Sequence, residues 1–261
     1  MPKVIVVTTS MSTKWESYSQ TLLKVMVPEW RRVIVDGRTN WSPTGFIQSI
    51  IDRDSDYIVH VDEDCFVQSR EALQKLIGII DQDDSYVAAG MPDGGCYYRN
   101  HNPAALNLFF VVFRTVALRK AWSEKVRWNE IQFRENFANE VTRQCPDLDQ
   151  SRIHWDEAEP YYPLFWSLLE GGGRFLYLRE NLLRSRWSSE VLLPSGELIA
   201  EHMWYLRQWF SNEVMPGHDC PNSTRYANFA ADFHLRFRHY GELRLILAGM
   251  HLKRLIRRSF V

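Results

Sequence analysis

Along the first 120 positions short apolar runs alternate with stretches whose apolar residues recur at helical spacing. Val4 to Val7 is a β-branched run, read as a buried strand that ends at Thr8-Thr9-Ser10. Ser12 or Thr13 can cap a helix carrying Tyr18, Leu22, Val25 and Met26 on one face, and Pro28 stops it. Val33-Ile34-Val35 predicts a second strand closed by the turn pair Asp36-Gly37. Pro43 opens a helix bearing Phe46, Ile47, Ile50 and Ile51, and Tyr57 to Val61 predicts a third strand broken by Asp62-Glu63-Asp64. Ser69 caps a helix bearing Leu73, Leu76, Ile77 and Ile80, and Tyr86 to Ala89 predicts a fourth strand.

Strands separated by helices imply βαβ units and a parallel sheet. Ligands of such sheets bind beyond the carboxyl ends of the strands, so the polar clusters at 8–10, 36–40 and 62–64 should converge on one crevice. From Met91 to Asn107 the pattern lapses into Gly, Pro, Asn and aromatic residues, which predicts a site loop. Leu108 to Phe113 resumes as a strand, a helix is expected from Tyr161 to Glu170, and Phe175 to Leu178 is a further strand.

Composition narrows the class. At 261 residues, 45% hydrophobic and 24% charged, the chain holds one large domain or two small ones and is neither disordered, collagen-like nor a coiled coil. A net charge of −1 argues against nucleic acid as a partner. No apolar run reaches the roughly 20 residues of a membrane span. Met1-Pro2-Lys3 leads straight into the apolar run without a small-residue cleavage site, so a cytoplasmic location is expected. Cys65, Cys96, Cys145 and Cys220 lie far apart, without metal-type spacing, which suits reduced thiols. Ten tryptophans fit either sugar-facing rings or a large aromatic core.

The acidic triplet carries the chemistry. In extended chain Asp62 and Asp64 would face one cation while Glu63 points away, and hard oxygen donors suit Mg²⁺ or Mn²⁺. A solvated acidic turn is the alternative, but the triplet's position at the ligand edge, with Asp36 in the equivalent place, favours the metal. Strand, Asp-Gly, helix, then Val-His-Val-Asp-Glu-Asp, resembles the nucleotide-sugar domain of GT-A glycosyltransferases with their Asp-x-Asp motif, over Lys3 to about Tyr205.

The resemblance implies an α/β fold with a mixed, mainly parallel Rossmann-like sheet flanked by helices. It also implies a single domain over 1–233, with a nucleotide-sugar half (1–120), an acceptor half (121–233) and a helical C-terminal extension. Thr8 and Ser10 would border the nucleoside, Asp36 the base or ribose, and Asp62 and Asp64 the diphosphate and its Mn²⁺ or Mg²⁺. A UDP-sugar is placed ahead of a GDP-sugar as donor, with a glycan or glycolipid as acceptor. The family's carboxylate before a late helix maps to Glu159, with Asp156 and Glu157 as competitors because Pro160 stands where the pattern commonly has Asp. Such a carboxylate would take the acceptor proton, although acids in this place also cap helices. His202 would complete the metal site, with His218 as its rival, and Tyr98, Arg99, His101 and Asn107 would contact the acceptor.

Charge is uneven. From His234 to Val261 seven Arg/Lys face one acid, Glu242, so this segment is +6 and the rest of the chain −7. Leu245, Ala248, Leu252, Leu255 and Ile256 share one helical face there, which would suit peripheral contact with an anionic inner membrane or packing on the domain. A sugar-phosphate nucleotidyltransferase shares the strand order but would carry a Gly-rich basic loop after strand one, where Thr-Thr-Ser stands. A phosphatase would place its paired aspartates on the first strand. A non-catalytic, carbohydrate-binding relic of the fold is the remaining alternative.

Overall fold

The computed structural model describes residues 2–11, 13–39, 42–95, 98–156, 159–183 and 188–204. Glu157, His218 and the basic 234–261 segment lie outside the described residues. The central sheet has six strands: β1 (Val4–Ser10), β2 (Arg31–Asp36), β3 (Tyr57–Val61), β5 (Tyr86–Pro92), β6 (Leu106–Arg114) and β7 (Arg174–Tyr177). Their order is β2-β1-β3-β6-β5-β7, and only β6 runs against the rest. A second, antiparallel sheet joins β4 (Cys65–Val67), β10 (Leu198–Met203), β9 (Ser188–Leu192) and β8 (Arg179–Leu183) in that order. The result is a mixed, mainly parallel α/β fold.

Each central strand feeds two cores, because successive side chains leave on opposite faces. Val4 and Val6 pack with α1 (Thr13–Met26), α3 (Arg70–Gln82) and the small sheet, whereas Ile5 and Val7 pack with α2 (Pro43–Ile50), α4 (Thr115–Ser123) and α6 (Tyr162–Glu170). Tyr57, Val59 and Val61 alternate with Ile58 in the same way, and Phe110 and Val112 with Val111 and Phe113. Ser69 is the predicted cap and accepts from Ala72 N at 3.1 Å, and Ser42, just before the predicted helix start at Pro43, accepts from Gly45 N at 3.0 Å. A further helix, α5 (Glu135–Gln144), packs Phe137 and Val141 into the α6 core.

The sheet is mixed and mainly parallel, as the resemblance implies: among the described residues no helix lies between β5 and β6, and strands joined without a crossover return antiparallel. One expectation is corrected: the loop after Met91 is shorter than expected, because β5 runs to Pro92, which pairs with Leu106 at the start of β6.

His60 ties three strands together. Its Nδ1 lies 2.5 Å from the Leu108 carbonyl, which can only accept, so Nδ1 carries the proton and Nε2 accepts from the Thr9 hydroxyl at 2.8 Å. Burial pulls this imidazole down to about 4, only partly offset by the Leu108 bond. The unfolded chain therefore binds this proton below about pH 6.5 while the folded chain refuses it, so stability falls as pH drops from there toward 4. Against His60→Gln, wild type is expected to lose about 2–3 kcal/mol of relative stability between pH 7 and 4.5. Paired denaturant titrations check this; a stability difference constant across that range contradicts it.

Candidate active site

The carboxyl ends of β1, β2, β3, β5 and β7 share one edge, and the polar turns gather there as the βαβ pattern requires. On the β1–β2 side Thr8 is fully buried and its Oγ1 accepts from Gln20 Nε2 at 2.8 Å, so Thr8 supports this edge rather than lining its surface. Ser10 is also buried, and its carbonyl accepts from Gly37 N at 2.9 Å, fixing the Asp36-Gly37 turn. Asp36 receives a two-pronged bond from Arg38, Nε to Oδ1 at 2.9 Å and Nη2 to Oδ2 at 2.8 Å, which holds its carboxyl below the usual range. This exposed pair places a carboxylate and a guanidinium together at the end of β2.

The acidic triplet is a turn, not extended chain: Cys65 N donates to Asp62 O at 3.1 Å and Asp62 N to Phe109 O at 2.9 Å. The alternation argument for Asp62 and Asp64 therefore does not describe it. Asp64 is 6% exposed and sits beside His202, whose Nε2 is 3.5 Å from Asp64 Oδ1. Strand β10 makes this meeting: His202 pairs with Cys65, and Met203 N donates to Asp64 O at 2.9 Å. The His202 ring stacks on Phe109 at 3.9 Å and 2°, with its Nδ1 buried and making no hydrogen bond. Asp62 is one-third exposed and lies 3.6 Å from His60 Nε2.

Among the described residues no three metal-type side chains converge. Asp64 and His202 supply one hard oxygen and one imidazole, a donor pair that fits a divalent cation whose remaining positions are filled by phosphate oxygens and water.

The other half of the edge is organised by Asp93, at the end of β5. It is 3% exposed and accepts from Arg99 Nε (3.1 Å), Arg99 Nη2 (3.1 Å), Asn107 Nδ2 (2.8 Å) and the Tyr162 hydroxyl (2.8 Å). Burial raises its pKa, and Arg99 works against that rise. Burial also opposes the charge on Arg99, but Asp93 and Glu159 outweigh it and keep the guanidinium protonated. The outer edge of Arg99 reaches Glu159 Oε1 at 2.7 Å.

His101 stands between two carboxylates, Nδ1 3.5 Å from Asp156 Oδ2 and Nε2 3.6 Å from Glu159 Oε1. The N-cap of α6, Tyr161, makes no side-chain cap hydrogen bond, and no acid lies in the first turn of the helix. Burial pushes the Tyr161 hydroxyl up to about 12, and the charges of Asp62 and Glu159 both add to the rise.

Of the acceptor candidates, Tyr98 is buried and Asn107 half-buried. Tyr98 is 8% exposed and packs against Trp204, and Asn107 spends its amide on Asp93 and its carbonyl on Phe109 N. Arg99, His101, Asp156 and Glu159 do come together. Sequence reasoning missed Asp93 and Tyr162. The rule that selected Asp36, an acid at a strand's carboxyl end before glycine, would have found Asp93.

Gly94 brings the His101 segment this close. A Cβ there would lie 1.6 Å from the His101 carbonyl oxygen, whereas one on Gly78 in α3 would meet nothing within 4 Å. Gly94→Ala is expected to cost about 1–3 kcal/mol or more through overpacking. Gly78→Ala should instead add up to about 1 kcal/mol by helix propensity. Chemical denaturation of the two variants checks the opposite signs.

No family model and no curated protein matches this chain. Among solved structures it is similar to a glycosyltransferase involved in the glycosylation of the major capsid of PBCV-1, at 12% identity and TM-score 0.36, over 64% of this chain and 89% of that one. It is also similar to mannosyltransferase PcManGT from Pyrobaculum calidifontis, in complex with GDP-Man and Mn²⁺, at 11% identity and TM-score 0.36, over 94% of this chain and 82% of that one. A third likeness is to CMP:2-keto-3-deoxy-manno-octonic acid synthetase complexed with CTP, at 9% identity and TM-score 0.31, over 59% and 89%. No helix among the described residues is long and apolar enough to cross a membrane.

Proposed function

We propose that this chain is a metal-assisted glycosyltransferase that moves a sugar from a nucleoside-diphosphate sugar to a hydroxyl of a glycan or lipid-linked acceptor. One observation carries the reading. The Asp62–Asp64 turn with His202 follows β3, and the Glu159–His101–Asp156 group is joined through Arg99 to Asp93 after β5, so both belong to the same sheet edge. Transfer needs two such groups facing one reacting carbon.

On the first side, Asp64 and His202 would hold a divalent cation, with the Asp36 turn toward the nucleoside. Bound there, Mn²⁺ or Mg²⁺ would offset the negative charge that builds on the departing diphosphate. On the second side, a carboxylate takes the proton of the attacking hydroxyl as the new bond to the anomeric carbon forms and the bond to diphosphate breaks. Glu159 is the assigned acceptor of that proton. Arg99, anchored by its two bonds to Asp93, fixes where Glu159 points. Asp156 addresses the same space through His101.

The test is product analysis. Incubated with a panel of nucleotide-sugars and Mn²⁺, the protein is expected to release nucleoside diphosphate, with UDP-sugars placed first. Release of pyrophosphate from a nucleoside triphosphate and a sugar phosphate would mark a nucleotidyltransferase and overturn the proposal. No turnover beside retained sugar binding would mark a binding module.

A further inference from the structure

We infer that a cavity at the amino end of the central sheet binds an amphiphilic anion, a flat apolar body of one or two rings that carries one acidic group. The candidate active site occupies the opposite, carboxyl end of the same strands, so this inference does not rest on the transferase reading.

The cavity holds about 550 Å³, within the roughly 300–1,000 Å³ of small-molecule sites. It is lined by the starts of β1 and β2 and by Gln74, Ile77, Gly78 and Asp81 of α3. Those four positions recur at helical spacing, so one face of the helix borders the space. Trp30, half-buried and packed against the core, adds an aromatic surface to the lining.

Gly78 is the residue that the fold alone does not explain. After proline, glycine is the costliest residue in a helix interior. Gly78 is not among the glycines with positive φ, and a Cβ on it would meet no heavy atom within 4 Å. Neither backbone geometry nor close packing therefore calls for glycine. Its effect is to leave the helix bare where the helix lines the cavity.

The charges around the cavity select the sign of the ligand. Lys3 pairs with Asp54, Glu29 with Arg70 at 2.7 Å, and Asp81 accepts from the Tyr57 hydroxyl at 2.8 Å. Arg31 lines the same cavity and is exposed, and its side chain makes no ion pair or hydrogen bond among the described residues. A ring system against Trp30 with an acidic group at Arg31 uses both features. A neutral ring leaves Arg31 to water, and an aliphatic acid forgoes the aromatic surface.

Fluorescence titration of the full chain tests this with 8-anilinonaphthalene-1-sulfonate and with N-phenyl-1-naphthylamine, which has the same rings and no charge. Expected is saturable binding of one sulfonate per chain, displaced by 1-naphthoate at lower concentration than by octanoate. Gly78→Leu, which puts a good helix former into open space, should weaken that binding about tenfold or more while its denaturant midpoint stays at or above that of wild type. Arg31→Gln should weaken the sulfonate about two- to fivefold and leave the neutral probe unchanged. No saturable binding in wild type, undiminished binding in Gly78→Leu, or octanoate displacing better than naphthoate would each overturn the inference. So would a lowered midpoint in Gly78→Leu, which would mean the space is not open, or an equal loss of both probes in Arg31→Gln.

Discussion

Asp64→Asn is expected to remove Mn²⁺-dependent nucleotide binding while the fold survives. The choice of asparagine follows from burial: Asp64 is 6% exposed, not displayed at an open strand end, so alanine would confound a lost ligand with a cavity. The amide keeps the volume and discards the charge. The backbone contact between Asp64 O and Met203 N is untouched, so β4 and β10 stay in register. Charge-assisted contacts are worth about 1.5–3 kcal/mol, so affinity for UDP or GDP with Mn²⁺ should drop on the order of 100-fold. Affinity without the cation should change little. Calorimetric titration with and without Mn²⁺ reads both terms, and equal nucleotide affinity in variant and wild type with Mn²⁺ present removes the cation from the mechanism.

Glu159→Gln carries the second large effect. Its carboxylate makes a 2.7 Å bond to Arg99, and glutamine's carbonyl can still accept from that guanidinium, so the shape of the Asp93–Arg99 group is kept. What disappears is a group able to take a proton. Transfer should therefore fall by about 10²–10⁴-fold, with donor affinity unchanged. Asp156→Asn is the control on the opposite side of His101. A large loss there with near-normal transfer in Glu159→Gln assigns the proton to Asp156 acting through His101 and refutes the role given to Glu159.

How far the chain could be read in advance depended on the kind of signal. The first three strands and the helices after them were legible because β-branched runs and helical spacing alternate cleanly, and because Pro43 and Ser69 mark helix starts. From those elements the shared edge follows, and with it the placing of Asp36 and the triplet. The direction of β6 was not legible, since a buried strand is apolar throughout whichever way it runs.

The small sheet was hidden for a different reason. Its strand β4 is three residues long and starts one position after the triplet, too short for any period to show. Hence no local signal showed that β10 covers Asp64. The Arg99–Glu159 and His101–Asp156 approaches bridge 60 and 55 positions and rest on the close fit at Gly94, a matter of packing that no local pattern records.

Three consecutive residues at the start of β6 reach both halves of the site. Asn107 bonds Asp93, the Leu108 carbonyl receives His60, and the Phe109 carbonyl receives Asp62 N while its ring supports His202. On the proposed reading this strand would be a ruler laid between leaving group and attacking group. A one-residue insertion there would lengthen the gap between them and turn the ring away in the same stroke. On that reading, tuning for a larger or smaller sugar would come from the surrounding loops, because the ruler itself cannot be recut without losing both marks.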